Sequence, residues 1–186
     1  MTKTELYELL DYVNHSREKR MEMARMVLSN SELVQPLFEI GFDVDNPISS
    51  KACWILEFTA REKLAYIFPH LDVFTTGLGI VHFDSSIRPL AKICELLVVS
   101  YYSKEKNTTQ KALTRVHLES ITEACFDWLI GDSKVAPKAY AMTSLLLLGQ
   151  TFDWIHPELK IIVEQHYATG SAAYKARARM VLAKLK

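Results

Sequence analysis

Trp54, Glu57 and Arg61 follow one another at intervals of three and four residues, so on a helix they share one side. Arg88, Lys92 and Glu95 have comparable spacing further along, and Lys138 with Tyr140 and Lys175 with Arg177 continue the polar and basic character. Aromatic rings and guanidinium groups on one side of successive helices are the groups that anchor a bound polypeptide, because Trp, Tyr and Arg dominate binding energy at interfaces. These ten residues form the candidate binding strip. Each residue alone also fits a plainer role: a solvated helix face with ion pairs worth little, or, for Trp54, a place in the core.

Signals for other chemistry are sparse. No two of the histidines His15, His70, His82, His117, His156 and His166 lie three to five residues apart, so the sequence carries no metal-ligand spacing. Cys53, Cys94 and Cys125 are odd in number and far apart, as reduced core residues would be. Nucleophile motifs and phosphate loops are absent, and Gly77-Leu78-Gly79 lacks the third glycine and preceding strand of a dinucleotide site. The expectation is no catalytic residue, no metal and no cofactor.

The elements that must position the strip are helices. Apolar residues recur at three and four, as in Leu6, Leu9, Leu10 and Val13, and alternating Val/Ile/Thr runs are missing. The few glycines and prolines fall between the periodic segments. The pattern predicts about ten helices, over 3–14, 16–28, 30–42, 47–60, 66–80, 86–102, 114–130, 134–149, 154–168 and 171–185. The polar stretch Ser103 to Thr109 predicts a mobile loop within a single domain spanning 1–186.

An internal repeat organises these helices. Asp45, Ile48 and Ala52 have a spacing that returns as Asp84, Ile87 and Ala91, again as Asp132, Val135 and Ala139, and more loosely as Thr169, Ala172 and Ala176. The Asp or Thr is expected to cap the following helix, and the Ala to let a neighbouring helix approach closely. Pro89 and Pro137 sit at one offset, early enough in their helices for the missing amide to cost little. Tyr66, Ile67, Pro69 and Leu71 match Trp154, Ile155, Pro157 and Leu159 ahead of the other helix of the pair. The four alanines are 39, 48 and 37 residues apart, against about 40 to 47 for HEAT and armadillo units.

At these residues the chain resembles the HEAT family, whose second helix follows an Asp and carries a Val-Arg pair before a small residue; Ile87-Arg88 with Ala91 shows that pattern in full, whereas Ser49 and Ala136 stand in place of the Arg elsewhere. The resemblance implies an all-α fold, an α-α superhelix of antiparallel helix pairs, with residues 1–29 as capping helices and 30–186 as about four repeats. It also implies that the strip lines a concave face. The whole chain is similar to short bacterial proteins often identified as adenylosuccinate lyases. That superfamily has much longer chains and an active site shared by three subunits, with a Ser-rich loop bearing Met-Pro-x-Lys-x-Asn. Ser133, Pro137 and Lys138 share residue types with the loop, and capping and helix initiation account for the same residues.

Twenty-two basic residues balance twenty-two acidic ones, so no global field attracts a phosphate backbone. The primary expectation is therefore a scaffold without chemistry of its own that binds a protein or peptide on the concave face. The alternative is a HEAT-like DNA-binding glycosylase for alkylated bases, for which Asp127-Trp128, Asp153-Trp154, Arg88 and Arg177 supply the residue types. Lyase activity is the third. The N-terminus has no basic start followed by an apolar run, and no apolar stretch approaches the roughly 20 residues of a membrane helix, so a cytoplasmic protein is expected.

Overall fold

The computed structural model describes residues 1–185, and among these the chain is helical and without strands. Its helices are α1 (Lys3–Tyr12), α2 (Arg17–Ser29), α3 (Val34–Gly41), α4 (Ser49–Glu62), α5 (Leu71–Gly77), α6 (Asp84–Tyr101), α7 (Thr109–Ala112), α8 (Arg115–Ile130), α9 (Val135–Leu148), α10 (Ile155–Tyr167) and α11 (Ala172–Leu182). Tighter 3-10 turns at Ser31–Leu33 and Leu64–His70 lead into α3 and α5. An eleventh helix, α7, begins at Thr109, the last residue of the stretch read as a mobile loop. Asn107 organises that stretch: its amide donates to the Ser100 carbonyl and Ser103 Oγ, both at 2.8 Å, while its Oδ1 accepts from the Thr109 amide at 2.9 Å.

Two layers follow from which helices touch. α2, α4, α6, α9 and α11 pack side by side in chain order, each on the next. α3 backs α4, α8 backs α9, and α10 packs on α9 and α11, while α1 meets α3 and α5 meets α8. α4 is the most enclosed element, with every residue from Ala52 to Ala60 buried. No helix among the described residues is long and apolar enough to cross a membrane.

The cap assignments need correction. None of the three aspartates caps a helix, because each stands one to three residues out of register with the cap position. Asp84 is the first residue of α6 rather than the one before it, so its charge faces the positive end of the helix without accepting an amide. Asp132 lies two residues short of Lys134, which takes the cap position of α9 with no side-chain bond. At α4 the Oδ1 of Asn46, not Asp45, accepts from the Ile48 amide at 3.0 Å. At α11 Ser171, not Thr169, accepts from the Tyr174 amide at 3.2 Å. Elsewhere caps form as hydroxyl chemistry predicts: Thr2 with Glu5 in a reciprocal box, Ser16, and Thr114, whose amide donates to Nδ1 of His117.

The alanine seam holds only in part. Ala52 and Ala91 are buried, Ala139 is half-buried and Ala176 is exposed. In α9 and α11 the buried alanines are Ala141 and Ala178, two positions later. Two residues turn a helix by about 200°, so the later helices present nearly the opposite side of the motif to their neighbours. The cap geometry gives a direct check. Ser171→Ala should lower stability by about 1 kcal/mol in urea unfolding, whereas Asp132→Ala should change it by less than about 0.5 kcal/mol; equal losses would restore aspartate as the helix-starting residue.

Candidate functional site

The densest cluster of charge lies where α2, α4 and α6 meet. Periodicity buries the α4 segment Ala52 to Ala60, and Glu57 falls in its middle with only 1% of its side chain exposed. A carboxylate so placed must be paired. Arg61, one turn on, donates to Oε1 through Nε at 3.0 Å and Nη2 at 2.6 Å. Arg88 reaches across from α6 and donates through Nη2 to Oε2 at 2.9 Å. The two arginines thus occupy both oxygens of one carboxylate.

A third guanidinium arrives from α2. Arg20 donates to the carbonyls of His15 at 2.6 Å and Ser16 at 3.3 Å, and its charge lies 5.6 Å from the Trp54 ring and 5.2 Å from that of Phe58. Burial lowers its pKa from the ordinary arginine value, and repulsion from Arg88 adds to the shift against the pull of Glu57. Arg17 and Glu62 complete the rim of a cavity of about 360 Å³ lined by Arg17, Arg20, Glu57, Arg61, Glu62 and Arg88 with two apolar residues. Four guanidinium groups therefore face two carboxylates. An adjoining cavity of about 490 Å³ shares Arg20 and Arg88 and extends past His15 and Trp54 to the start of α9.

The sequence-predicted residues divide among several places. Glu57, Arg61 and Arg88 come together, and Trp54 is beside them, buried, with its indole Nε1 donating to the Ser85 carbonyl at 2.7 Å. Lys92 pairs with the nearly buried Glu95 and lies 4.9 Å over the Tyr140 ring, a separate contact between α6 and α9. Arg177 donates to Thr143 Oγ1 at 2.8 Å, tying α11 to α9. Lys138 lines a smaller cavity of about 250 Å³ with Ser133, His166, Thr169 and Tyr174, and Lys175 is half-buried on α11. Of the glycosylase set, Trp128 is core, Asp127 and Trp154 line a groove at α8, and Arg88 and Arg177 occupy different contacts. Of the loop-like residues Ser133, Pro137 and Lys138, Pro137 is buried in the first turn of α9.

Arg17 and Arg20 were not singled out in the sequence. The signal that could have found them is their spacing of three from each other, on the helix next to the buried one. The histidines serve packing and local bonds: His117 meets Asp72 at 2.7 Å, His156 the Leu146 carbonyl at 2.9 Å, and His166 the Ile162 carbonyl at 2.9 Å. Burial pushes the thiols of Cys53 and Cys125 up to about 12 and that of Cys94 well above its ordinary value, so all three stay protonated and poorly nucleophilic at neutral pH.

The chain matches no protein-family model, no curated protein and no solved structure. The cluster must therefore be judged by its own chemistry. Glu57→Gln keeps the shape but leaves three guanidinium groups without their central charge. It should destabilise the fold by about 2 to 3 kcal/mol in urea unfolding, less than a fully buried pair would lose because Arg61 and Arg88 keep some solvent contact. Added phosphate should recover part of that loss, while Glu62→Gln on the rim should shift stability by less than about 0.5 kcal/mol.

Proposed function

We propose that the protein is a non-catalytic binding module, a HEAT-like helical stack that holds an acidic segment of a protein or peptide partner along the face formed by α2, α4 and α6. One observation carries this reading: the cavity beside Glu57 gathers four arginines against two carboxylates, and a second cavity walled by Trp54 and His15 continues from it. Guanidinium groups meet carboxylates through paired hydrogen bonds, so an aspartate or glutamate side chain is a natural occupant. The larger adjoining space suits the apolar residues beside such an acid. With a net charge of zero over the whole chain, the attraction is local and takes effect at short range.

Fluorescence anisotropy with a labelled acidic peptide tests the proposal. Binding is expected with Kd of roughly 1 to 100 µM at low salt, weakening as salt rises. Arg17→Glu is the informative variant, because Arg17 is exposed at the first turn of α2, where a glutamate suits the helix end. It should weaken binding about tenfold without loss of stability. Unchanged affinity in that variant removes the site. Steeply salt-dependent binding of duplex DNA with no binding of the peptide would favour the glycosylase-like reading, and cleavage of adenylosuccinate the lyase.

A further inference from the structure

A second groove, on the layer opposite this cluster, has the reverse chemistry. Trp154 stands at the start of α10 with 54% of its surface exposed, whereas Trp54 and Trp128 are 8% and 5% exposed. A large exposed aromatic calls for an explanation in a way that a scattered leucine does not. Its ring stacks on Phe126 with centroids 5.4 Å apart and an angle of 20°. Glu119, Thr122, Glu123, Phe126 and Asp127 recur at alternating intervals of three and one along α8, so they form one side of that helix. With Arg115, Phe152 and Trp154 they enclose about 460 Å³, space for one long side chain.

The groove already shows what it holds. The guanidinium of Arg115 lies 4.9 Å from the Phe152 ring while its Nε donates to Glu119 Oε1 at 3.0 Å. One aromatic and one carboxylate thus grip a cation within the chain itself. Trp154 stacked on Phe126, with Glu123 and Asp127 alongside, repeats that combination, and among the described residues neither carboxylate has a salt-bridge partner. Ring faces attract cations, and carboxylates supply the charge and hydrogen-bond acceptors.

We propose that the groove between α8 and the start of α10 binds an arginine or lysine side chain on a basic segment of a protein partner. The cation lies over the Trp154 ring, and Glu123 and Asp127 accept its hydrogen bonds. Three carboxylates against one guanidinium give the groove the opposite charge to such a segment. This site is independent of the arginine cluster and of any partner bound there.

The test uses the full chain and a capped peptide of alternating arginine and glycine, followed by the indole N–H resonances in NMR, with a citrulline peptide of equal length as the uncharged control. The Trp154 signal is expected to move on titration while that of buried Trp54 stays. Trp154→Ala should weaken binding about tenfold, and the double variant Glu123→Gln with Asp127→Asn, at two exposed positions, roughly five- to tenfold with a flatter salt dependence. Equal binding of the citrulline peptide, undiminished affinity in both variants, or movement of Trp154 by an acidic peptide instead would overturn the proposal. So would free arginine binding as tightly as the peptide, since the site would then take a small cation and not a partner.

Discussion

Pairing of the Glu57 carboxylate constrains the α2, α4 and α6 end of the molecule. α4 is enclosed along Ala52 to Ala60, and a negative charge in such a helix has to be neutralised by groups that reach it from the side. Arg61 does so from its own helix and Arg88 from the next, which fixes how α6 lies on α4. Arg20 then closes the same corner from α2, using aromatic rings and backbone carbonyls to hold a charge that Glu57 alone does not balance. A structural requirement thus creates local positive excess in a chain with no net charge. The partner-binding proposal follows from that excess.

Polar links continue along the helix series. Ser50 bonds the hydroxyls of Ser85 and Ser86 at 2.7 and 2.8 Å between α4 and α6. Lys92 over Tyr140 joins α6 to α9, and Arg177 with Thr143 joins α9 to α11. Between these links the contacts are apolar, from Ile55 and Leu90 through Leu145 to Ala178, all fully buried. Apolar burial provides the driving force of association, while directional polar bonds specify relative position. Much of the sequence-derived strip is spent on this internal stitching: Trp54, Glu57 and Glu95 are buried, and their partners are helices of the same chain.

The helices themselves were legible because their signal is local. Ten predicted segments match α-helices or 3-10 turns to within a few residues, with the 66–80 segment dividing after His70 into a 3-10 turn, which contains Pro69, and α5. What escaped the sequence depends on rotation about the helix axis and on partners distant in the chain. Ala139 and Ala176 keep the spacing of Ala52 and Ala91, yet α9 and α11 bury Ala141 and Ala178 instead, and a motif match cannot detect that turn. Asp84 and Asn46 show the same limit at the caps, where displacement by one residue decides whether an oxygen meets an amide. In the site, the helical spacing of Glu57 and Arg61 was visible. Arg88, 31 residues from Glu57, was grouped with them through the repeat, while Arg20 required the packing of α2 on α4.

The guanidinium groups around Glu57 are proposed to retain binding capacity for an external anion. Arginine Nε–Hε resonances observed by NMR during titration with an acidic peptide test this capacity most directly. Signals of Arg17, Arg20 and Arg88 are expected to move together with a common affinity, while those of Arg115 and Arg177, engaged elsewhere in the fold, remain in place. Uniform small shifts across all arginines, or none at the three, would mean that Glu57 saturates the cluster and that its role is confined to holding the helices.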